Sequence, residues 1–279
     1  MNSYKLNTLL ADYGSKKIYR DGDKVIKLRD KDYPAPDVLS EAHNLAVVGE
    51  TALKVPRLEE VTKIDGKWAV VWEYVEGTSL DKLMEKNKDK EDKYIERFVD
   101  IQLDMHRHSA TRLPLLIEKM ERKIKASELD STARYEILGR LASMPKHTKL
   151  CHGDFTPCNI VITEKDEAYI IDWCHATQGN ASADAAHTYL LFHLAGNAAL
   201  ADKYLALFCK KSDTAKQYVE NWLSIVAASQ LSRGKPEEKE LLLHWANVVE
   251  YAYEIKNNKR RKKKGRESGE APKLFPKWK

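Results

Sequence analysis

The segment from Leu150 to Trp173, LCHGDFTPCNIVITEKDEAYIIDW, most constrains what this chain can fold into. It places Asp154 five residues before Asn159, and a second aspartate, Asp172, after a short apolar run. Two apolar stretches between these residues predict short strands. A loop and a hairpin would therefore bring two carboxylates and a carboxamide together. Such an all-oxygen set suits Mg²⁺ better than calcium or zinc.

Magnesium held in this way points to phosphate chemistry. The first aspartate, Asp154, can accept a proton from an attacking hydroxyl, while Asn159 and Asp172 hold the metal against the phosphates of a nucleotide. The catalytic and magnesium loops of protein kinases have this arrangement. It also requires a lysine on the third strand and a glutamate on the helix that follows, and Lys27 and Glu41 stand at those places.

The first 76 residues have the pattern of strands with one helix. KKIYRDGDKVIKL has two β-prone segments around Asp21-Gly22-Asp23, which predicts a hairpin that ends near Lys27. DVLSEAHNLAVVGE has apolar residues at helical spacing and predicts a helix that ends near Gly49. A second hairpin is predicted around Asp65-Gly66.

Beyond Gly77 the pattern becomes helical. Ser79 is a candidate cap for a helix over LDKLMEKN, and EDKYIERFVDIQLDMHRH follows with an apolar face. Further helices are predicted over 116–127, over 131–143 and from about 184 onward, with a break at SRGKPEE. The predicted architecture is an α+β chain with a small lobe over 1–76, a mostly helical lobe over 77–255 and a basic tail over 256–279.

The motifs HGDFTPCN and IIDW, with Lys27 and Glu41 upstream, resemble the aminoglycoside phosphotransferase family. Its relatives include choline and ethanolamine kinases, homoserine kinases and methylthioribose kinases. These proteins typically carry His-Gly-Asp-x4-Asn followed by an Asp-Trp-like pair. The resemblance extends from about Gly14 to Asp184 and implies a protein-kinase-like two-lobe fold, with a small β-sheet lobe that has one main helix and a larger helical lobe.

The resemblance implies a role for each matched residue. Asp154 would be the catalytic base, and Asn159 and Asp172 would ligate Mg²⁺. Lys27 would contact the α and β phosphates of ATP and pair with Glu41. GTP is not excluded, because the contacts to the base are expected to come mainly from backbone groups.

Three further elements of the family have counterparts in this chain. WEYVEG resembles the inter-lobe connector, where backbone groups of Glu73, Tyr74 and Val75 would hydrogen-bond the adenine. Asp184 resembles the aspartate that supports the catalytic loop from behind. The phosphate-covering loop has one glycine in DYGSKK, so Ser15 and nearby backbone amides would hold the phosphates together with Lys27.

Histidines and cysteines near these motifs have simpler interpretations. His152 is expected to orient the loop through a hydrogen bond, and His106 to pack in the core. The four cysteines form no CxxC pair, and their spacings fit no usual zinc pattern. They are expected to be small buried thiols.

The acceptor of the phosphoryl group is expected to be a hydroxyl of a small molecule, and the sequence leaves its identity open. An aminoglycoside is one alternative, with Glu220, Glu250 and Glu254 as candidate contacts. A choline, ethanolamine or amino-sugar kinase is the other. Rings that could hold a quaternary ammonium group, but are more simply helical core, are Trp173, Trp222, Trp245, Tyr251 and Tyr253.

The tail from Lys256 to Lys279 has eleven Lys or Arg and two Glu, and it makes the formal charge of the chain positive. Such blocks are normally flexible and solvated. Contact with nucleic acid or an anionic membrane is an alternative, and would fit a non-catalytic nucleotide-binding module. No apolar run is long enough to span a membrane and no secretory signal is evident, so a cytoplasmic location is expected.

Overall fold

The computed structural model of this chain describes residues 4–247. Its N-terminal part is a five-stranded antiparallel sheet in the order β1-β2-β3-β5-β4. The strands are β1 Thr8–Asp12, β2 Lys16–Asp21, β3 Lys24–Arg29, β4 Leu58–Ile64 and β5 Lys67–Glu73. The central strand β3 pairs with both β2 and β5, so Lys27 lies in the middle of the sheet, opposite Ile18 and Val70.

Both predicted hairpins are confirmed, and their turns explain why the signals were clear. Asp21 pairs with Lys24 across the first turn, in which Gly22 has φ +59°. In the second turn Asp65 and Gly66 both have positive φ, at 50° and 76°. Two-residue hairpin loops favour such conformations because their twist matches that of the strands.

The predicted helix between the hairpins is α1, Ala35–Val48, and Gly49 follows it. One face of α1 packs on the sheet through Val38 and Ala42, which cluster with Val70 of β5. The opposite end of α1 contributes Leu45 and Val48 to the main core, which continues into the C-terminal helices. Helix α1 therefore links the sheet to the rest of the protein.

The C-terminal part is mostly helical, with two small sheets. Its helices are α2 Leu80–Lys86, α3 Glu91–Met105, α4 Leu116–Lys125, α5 Ser131–Ser143, α6 Ala181–Leu194, α7 Ala198–Ser212, α8 Lys216–Glu220, α9 Leu223–Leu231 and α10 Pro236–Ala246. A three-stranded sheet, β6-β8-β9, contains Thr78–Ser79, Ile160–Ile162 and Ala168–Ile170. Strands β7 (Lys149–Cys151) and β10 (Thr177–Gly179) form a second, two-stranded sheet.

The predicted α+β class is confirmed, with three differences in detail. Ser79 precedes α2, but its side chain makes no capping hydrogen bond. Helix α6 begins at Ala181, because Asn180 caps it by accepting from the backbone N–H of Ser182. Of the four cysteines only Cys151 is fully buried, and Cys158 is exposed, so the expectation of buried thiols was wrong for Cys158.

Some expectations are not tested by this architecture. The tail over 256–279 lies outside the described residues, as do Glu250, Glu254, Tyr251 and Tyr253. The lobe boundaries at residues 76 and 255 stay a prediction. No helix within residues 4–247 has the length and apolar character that a membrane span requires.

Candidate active site

A buried lysine joins the N-terminal sheet to the C-terminal part of the chain. Lys27 of β3 is fully buried, and its Nζ donates to Glu41 Oε1 of α1 at 2.5 Å. The same Nζ donates to Asp172 Oδ1 at 2.8 Å. Three of the residues that the sequence predicts for one site, from a strand, a helix and a distant loop, therefore meet at one ammonium group.

The charges in this cluster stabilise each other strongly. Burial alone would lower the pKa of Lys27, but the carboxylates of Asp172 and Glu41 outweigh it and raise the pKa above its ordinary value. Burial would raise the pKa of Asp172, but Lys27 and Lys16 hold it well below its usual range. Lys27 and Asp172 are therefore both charged at neutral pH.

Two further cations belong to the cluster, and neither was predicted from the sequence. Arg29 Nη2 donates to Glu41 Oε2 at 2.5 Å, so Glu41 is shared by two cations. Lys16 Nζ of β2 lies 3.7 Å from Asp172 Oδ2. Arg29 follows Lys27 by two residues and so lies on the same face of the strand, a signal that could have identified it.

The loop that carries Asp154 is fixed from behind by a buried aspartate. Gly153 has φ +73°, and its N–H donates to Asp184 Oδ1 at 2.7 Å. The other oxygen of Asp184 lies 3.0 Å from His106 Nε2. Burial would raise the pKa of Asp184, but the hydrogen bond from His106 lowers it to about 2. His106, expected to pack, therefore also has a polar partner.

His152 ties the same loop to the segment before Asp172. Its Nδ1 accepts from the backbone N–H of Asp154 at 3.2 Å, which leaves Nε2 to donate to the carbonyl oxygen of Ile171 at 3.0 Å. His152 is fully buried. Its geometry is that of the expected orienting residue, because both ring nitrogens hold backbone groups.

Asn159 lies between the two aspartates. Its Nδ2 donates to the backbone oxygen of Asp154 at 2.9 Å and lies 3.4 Å from Asp154 Oδ2. The backbone carbonyl oxygen of Asn159 accepts from the N–H of Ile171 at 2.9 Å, at the end of the β8–β9 hairpin. Asn159 and Asp172 are therefore at the same end of that hairpin, where Asp172 turns away with φ +60°.

The donor set at this end fits a magnesium ion. Asp172 offers an ionised carboxylate, and Asn159 keeps Oδ1 for a cation because Nδ2 holds the loop. Among the described residues no group of three or more His, Cys, Asp or Glu could hold a metal. Two oxygen ligands suit Mg²⁺, which usually keeps several waters and binds phosphates as well.

The predicted connector lies at the end of β5. The N–H of Glu73 donates to Arg57 O at 2.9 Å, and the N–H of Tyr74 donates to Asp23 O at 2.7 Å. The Tyr74 ring lies under the Arg20 guanidinium, 3.7 Å from its centroid. The N–H groups of Glu73 and Tyr74 therefore serve the fold, which leaves their carbonyl oxygens and the backbone of Val75 for the predicted contact.

Among the described residues, Ser15 and the acceptor candidates Glu220, Trp222 and Trp245 make no hydrogen bond or ion pair with the Lys27 cluster. Ser15 is exposed in the β1–β2 turn, where its N–H donates to Tyr13 O at 2.9 Å. Glu220 pairs with Lys216 at 3.5 Å. Trp173 and Trp222 are buried in the core, as the simpler interpretation expected, and Trp245 stacks on Tyr189.

Comparison with known proteins identifies the family. The sequence matches the phosphotransferase enzyme family over residues 8–218. The chain belongs to this family. A comparison with curated protein sequences gives no match.

Solved structures with the same fold include several phosphotransferases. A choline/ethanolamine kinase family protein from Mesorhizobium loti has a TM-score of 0.56 at 16% identity, over 88% of this chain and 81% of that chain. Aminoglycoside-3'-phosphotransferase of type VIII has a TM-score of 0.59 at 15% identity, over 81% and 93% of the two chains. A thermostable mutant of aminoglycoside phosphotransferase APH(4)-Ia, in a ternary complex with ADP and hygromycin B, has a TM-score of 0.63 at 12% identity, over 86% and 90%.

At these identities the likeness shows the fold, which is that of protein-kinase-like phosphotransferases. The predicted family and fold are therefore confirmed. In this member of the phosphotransferase enzyme family, Asn44 of α1 also contacts the IIDW motif. Its Nδ2 donates to the backbone oxygen of Trp173 at 3.2 Å. Asn44 lies one turn after Glu41, so the same face of α1 holds both the lysine and the loop after Asp172.

Proposed function

We propose that this protein transfers the γ-phosphoryl group of ATP to a hydroxyl of a small molecule. The observation that carries this proposal is the bridge from Lys27 to both Glu41 and Asp172. It supports the proposal because a nucleoside triphosphate with its metal ion requires a fixed ammonium group next to an ionised carboxylate.

Nucleotide binding would use the face of the sheet on which Lys27 meets Glu41 and Asp172. Lys27 would contact the α and β phosphates, with the Gly14-Ser15 turn as their cover. The N–H of Val75 and the carbonyl oxygens of the connector would contact the adenine, because the N–H groups of Glu73 and Tyr74 are already engaged. The neighbour in complex with ADP, and another in complex with AMP-PNP, support a nucleotide in this fold. GTP would meet the same backbone groups.

Asp172 and Asn159 would hold Mg²⁺. Bound there, the ion supplies positive charge that neutralises the phosphates as the γ-phosphoryl group moves. Lys16, which already lies near Asp172, would add charge on the same side. The protein residues thus hold the phosphate chain without any covalent bond to it.

Asp154 would act as the base. The acceptor oxygen forms the bond to the γ-phosphorus, the bond from that phosphorus to the β–γ bridging oxygen breaks, and the proton of the hydroxyl passes to the Asp154 carboxylate. Asn159 donates to the backbone oxygen of Asp154, and His152 accepts from its backbone N–H. These contacts orient the residue and leave its carboxylate without a strong ion pair among the described residues.

Transfer from labelled ATP with Mg²⁺ tests the proposal, with Asp154→Asn as the decisive variant. We expect transfer to fall by about 10²–10⁴-fold, because the proton acceptor is lost. Nucleotide affinity, measured by titration with a fluorescent ATP analogue, should stay close to that of the wild type. The acceptor panel contains aminoglycosides, choline, ethanolamine, homoserine and sugars of different charge.

Asp166→Asn is the matched control, because Asp166 is a highly exposed aspartate in the same segment that contacts Arg97. It should transfer phosphate at the wild-type rate. Full turnover by Asp154→Asn would rule out Asp154 as the base. Nucleotide binding without transfer to any acceptor in the panel would favour the non-catalytic nucleotide-binding alternative.

A further inference from the structure

A cavity of about 40 Å³ lies directly beside the loop that carries Asp154. Gly153 lines it on one side, and Lys119 and Lys123 of α4 line it on another. Gln230 of α9 and His187 of α6 close it. One water needs roughly 10–15 Å³ of such space, so the cavity holds about three atoms of that size, the number of heavy atoms in a carboxylate.

The charged residues around this cavity are cations. Within residues 4–247 no Asp or Glu lines it, whereas Lys119 and Lys123 do. Arg233 follows α9 and is close enough to lower the pKa of both lysines. Arg233 Nη2 is buried and has no hydrogen-bond partner among the described residues. A buried guanidinium donor of this kind costs free energy until an acceptor meets it.

The lysines are destabilised in their charged form. Burial, with the charge of Lys123 as the next cause, lowers the pKa of Lys119 to about 7. Burial lowers the pKa of Lys123 to about 8, with Arg233 as the next cause. Lys119 Nζ donates to a neutral group, the carbonyl oxygen of His175, at 2.9 Å. These cations repel each other, and the repulsion ends when an anion lies between them.

Other titratable groups near the cavity do not supply that anion. Burial lowers the pKa of His187 to about 4 and of His175 to about 2, so both rings are neutral at pH 7. Glu238 accepts from Gln230 Nε2 at 3.2 Å, and its other oxygen pairs with Lys235 at 2.6 Å. The carboxylate that acts on Lys123 is that of Asp154, which the proposed reaction needs as its base.

We propose that the phosphoryl acceptor is an anion: a small hydroxyl compound whose carboxylate or phosphate group binds Lys119 and Lys123 next to the Asp154 loop, with the charge of Arg233 nearby. This inference rests on the proposed function, since it concerns the acceptor side of the same site. The anionic group enters the cavity, and a hydroxyl on the same molecule faces Asp154. A polycationic aminoglycoside or a quaternary ammonium compound would meet like charges in this place.

The first experiment measures whether the cavity binds an anion. The full chain, saturated with Mg²⁺ and AMP-PNP, is melted in millimolar sodium sulfate and in sodium chloride of equal ionic strength. We expect sulfate to raise the Tm of the wild type above its value in chloride. Lys119→Met and Lys123→Met should each lose most of that difference, because a cation that holds the ion is gone.

Lys125→Met is the matched control. Lys125 lies on the same helix but is exposed and pairs with Glu121 at 2.6 Å, so its variant should keep the sulfate effect. An equal sulfate effect in all three lysine variants would reflect general salt stabilisation and would overturn the proposal. So would the absence of any difference between sulfate and chloride in the wild type.

The second experiment compares acceptors that differ mainly in charge: D-glucosamine, D-glucose, D-gluconate and D-glucose 6-phosphate. ADP formation should show kcat/KM at least about tenfold higher for an anionic member than for glucosamine, since like charges oppose binding of the cation. Lys123→Met should raise KM more than it lowers kcat. Gluconate and the sugar phosphate separate a carboxylate from a phosphate as the bound group.

Preference for the cationic or neutral sugar would overturn the anionic acceptor while leaving the phosphotransferase intact. If no sugar reacts, the sulfate measurement decides whether the cavity binds an anion. If ATP with Mg²⁺ does not bind, the proposed function fails, and the sulfate measurement without nucleotide still judges the cavity. The two failures are therefore distinguishable.

Discussion

At the scale of single residues, the site depends on carboxylates that each serve two cations. Glu41 accepts from Lys27 and Arg29, and Asp172 faces Lys27 and Lys16. Lys27 has no exposed surface and Glu41 has little. A buried charge without its partner is costly, so each carboxylate stabilises the fold as well as the site.

Replacement of Glu41 by Gln tests this sharing. We expect Glu41→Gln to lower the free energy of unfolding by roughly 3–5 kcal/mol, because Lys27 and Arg29 lose their common buried counterion. Nucleotide affinity should fall as well, since Lys27 would no longer be held from the α1 side. Urea denaturation followed by circular dichroism measures the first effect.

Glu59→Gln provides the comparison, because Glu59 pairs with Arg57, whose side chain is largely exposed. Its free energy of unfolding should change by less than about 1 kcal/mol. Equal losses in the two variants would show that burial of the Glu41 pair contributes nothing special.

The sequence predicted some of these residues better than others. Lys27 and Glu41 were predictable because each stands at a set place in a hairpin and a helix with strong local signals. Lys16 was not, because its partner Asp172 is brought close only by the complete fold. The cationic cavity was missed for a similar reason. Its lysines come from α4, whereas the acceptor candidates in the sequence were Trp173 and residues from Glu220 onward.

At the scale of elements, the loop before Asp154 depends on one glycine. Gly153 has φ +73°, and a Cβ there would lie 2.7 Å from the carbonyl oxygen of His175. We expect Gly153→Ala to destabilise the protein by roughly 1–3 kcal/mol, because the conformation is strained and the contact is with backbone. Phosphate transfer should fall too, since Asp154 is the next residue. Thermal denaturation and the transfer assay measure the two effects.

Gly139→Ala is a control with the same chemical change. Gly139 lies within α5, where an added Cβ meets nothing within 4 Å. Alanine favours a helix over glycine by up to about 1 kcal/mol, so this variant should be as stable as the wild type or more stable. A Gly153→Ala protein that behaves like Gly139→Ala would refute the strain argument.

Element boundaries were predictable where turn chemistry is local. Asp65-Gly66 and Gly22-Asp23 mark their turns directly, and Gly49 marks the end of α1. The start of α6 was less clear, because Asn180 caps it from within a buried segment that has no apolar periodicity. Ser79 belongs to a small sheet, where it pairs with Val161, and its side chain makes no capping hydrogen bond to α2.

At the scale of the whole molecule, stability should rise with pH. Burial lowers the pKa of His187 to about 4 and of His175 to about 2, whereas unfolded histidine titrates near 6.5. Below pH 6.5 these two histidines therefore bind protons in the unfolded chain but stay neutral in the folded protein until the pH is much lower. The free energy of unfolding should fall by about 1.4 kcal/mol per pH unit for each histidine toward pH 4.

Urea titrations at pH 8, 7, 6 and 5 measure this slope. His187→Gln should show a shallower decrease than the wild type below pH 6.5. His147→Gln, which changes an exposed histidine, should keep the wild-type slope. Identical slopes in all three proteins would contradict the assignment of this pH dependence to His187.

The ion cluster at Lys27 also has a consequence for biosynthesis. The N-terminal sheet buries Lys27 and most of Arg29 with Glu41 alone as their counterion, and the charge is balanced only when Asp172 joins from the second half of the chain. A nascent chain that has left the ribosome as far as β5 would therefore bury two cations against a single carboxylate. The sheet should mature only after the segment with Asp172 has emerged, so the two halves of this protein complete their folding together.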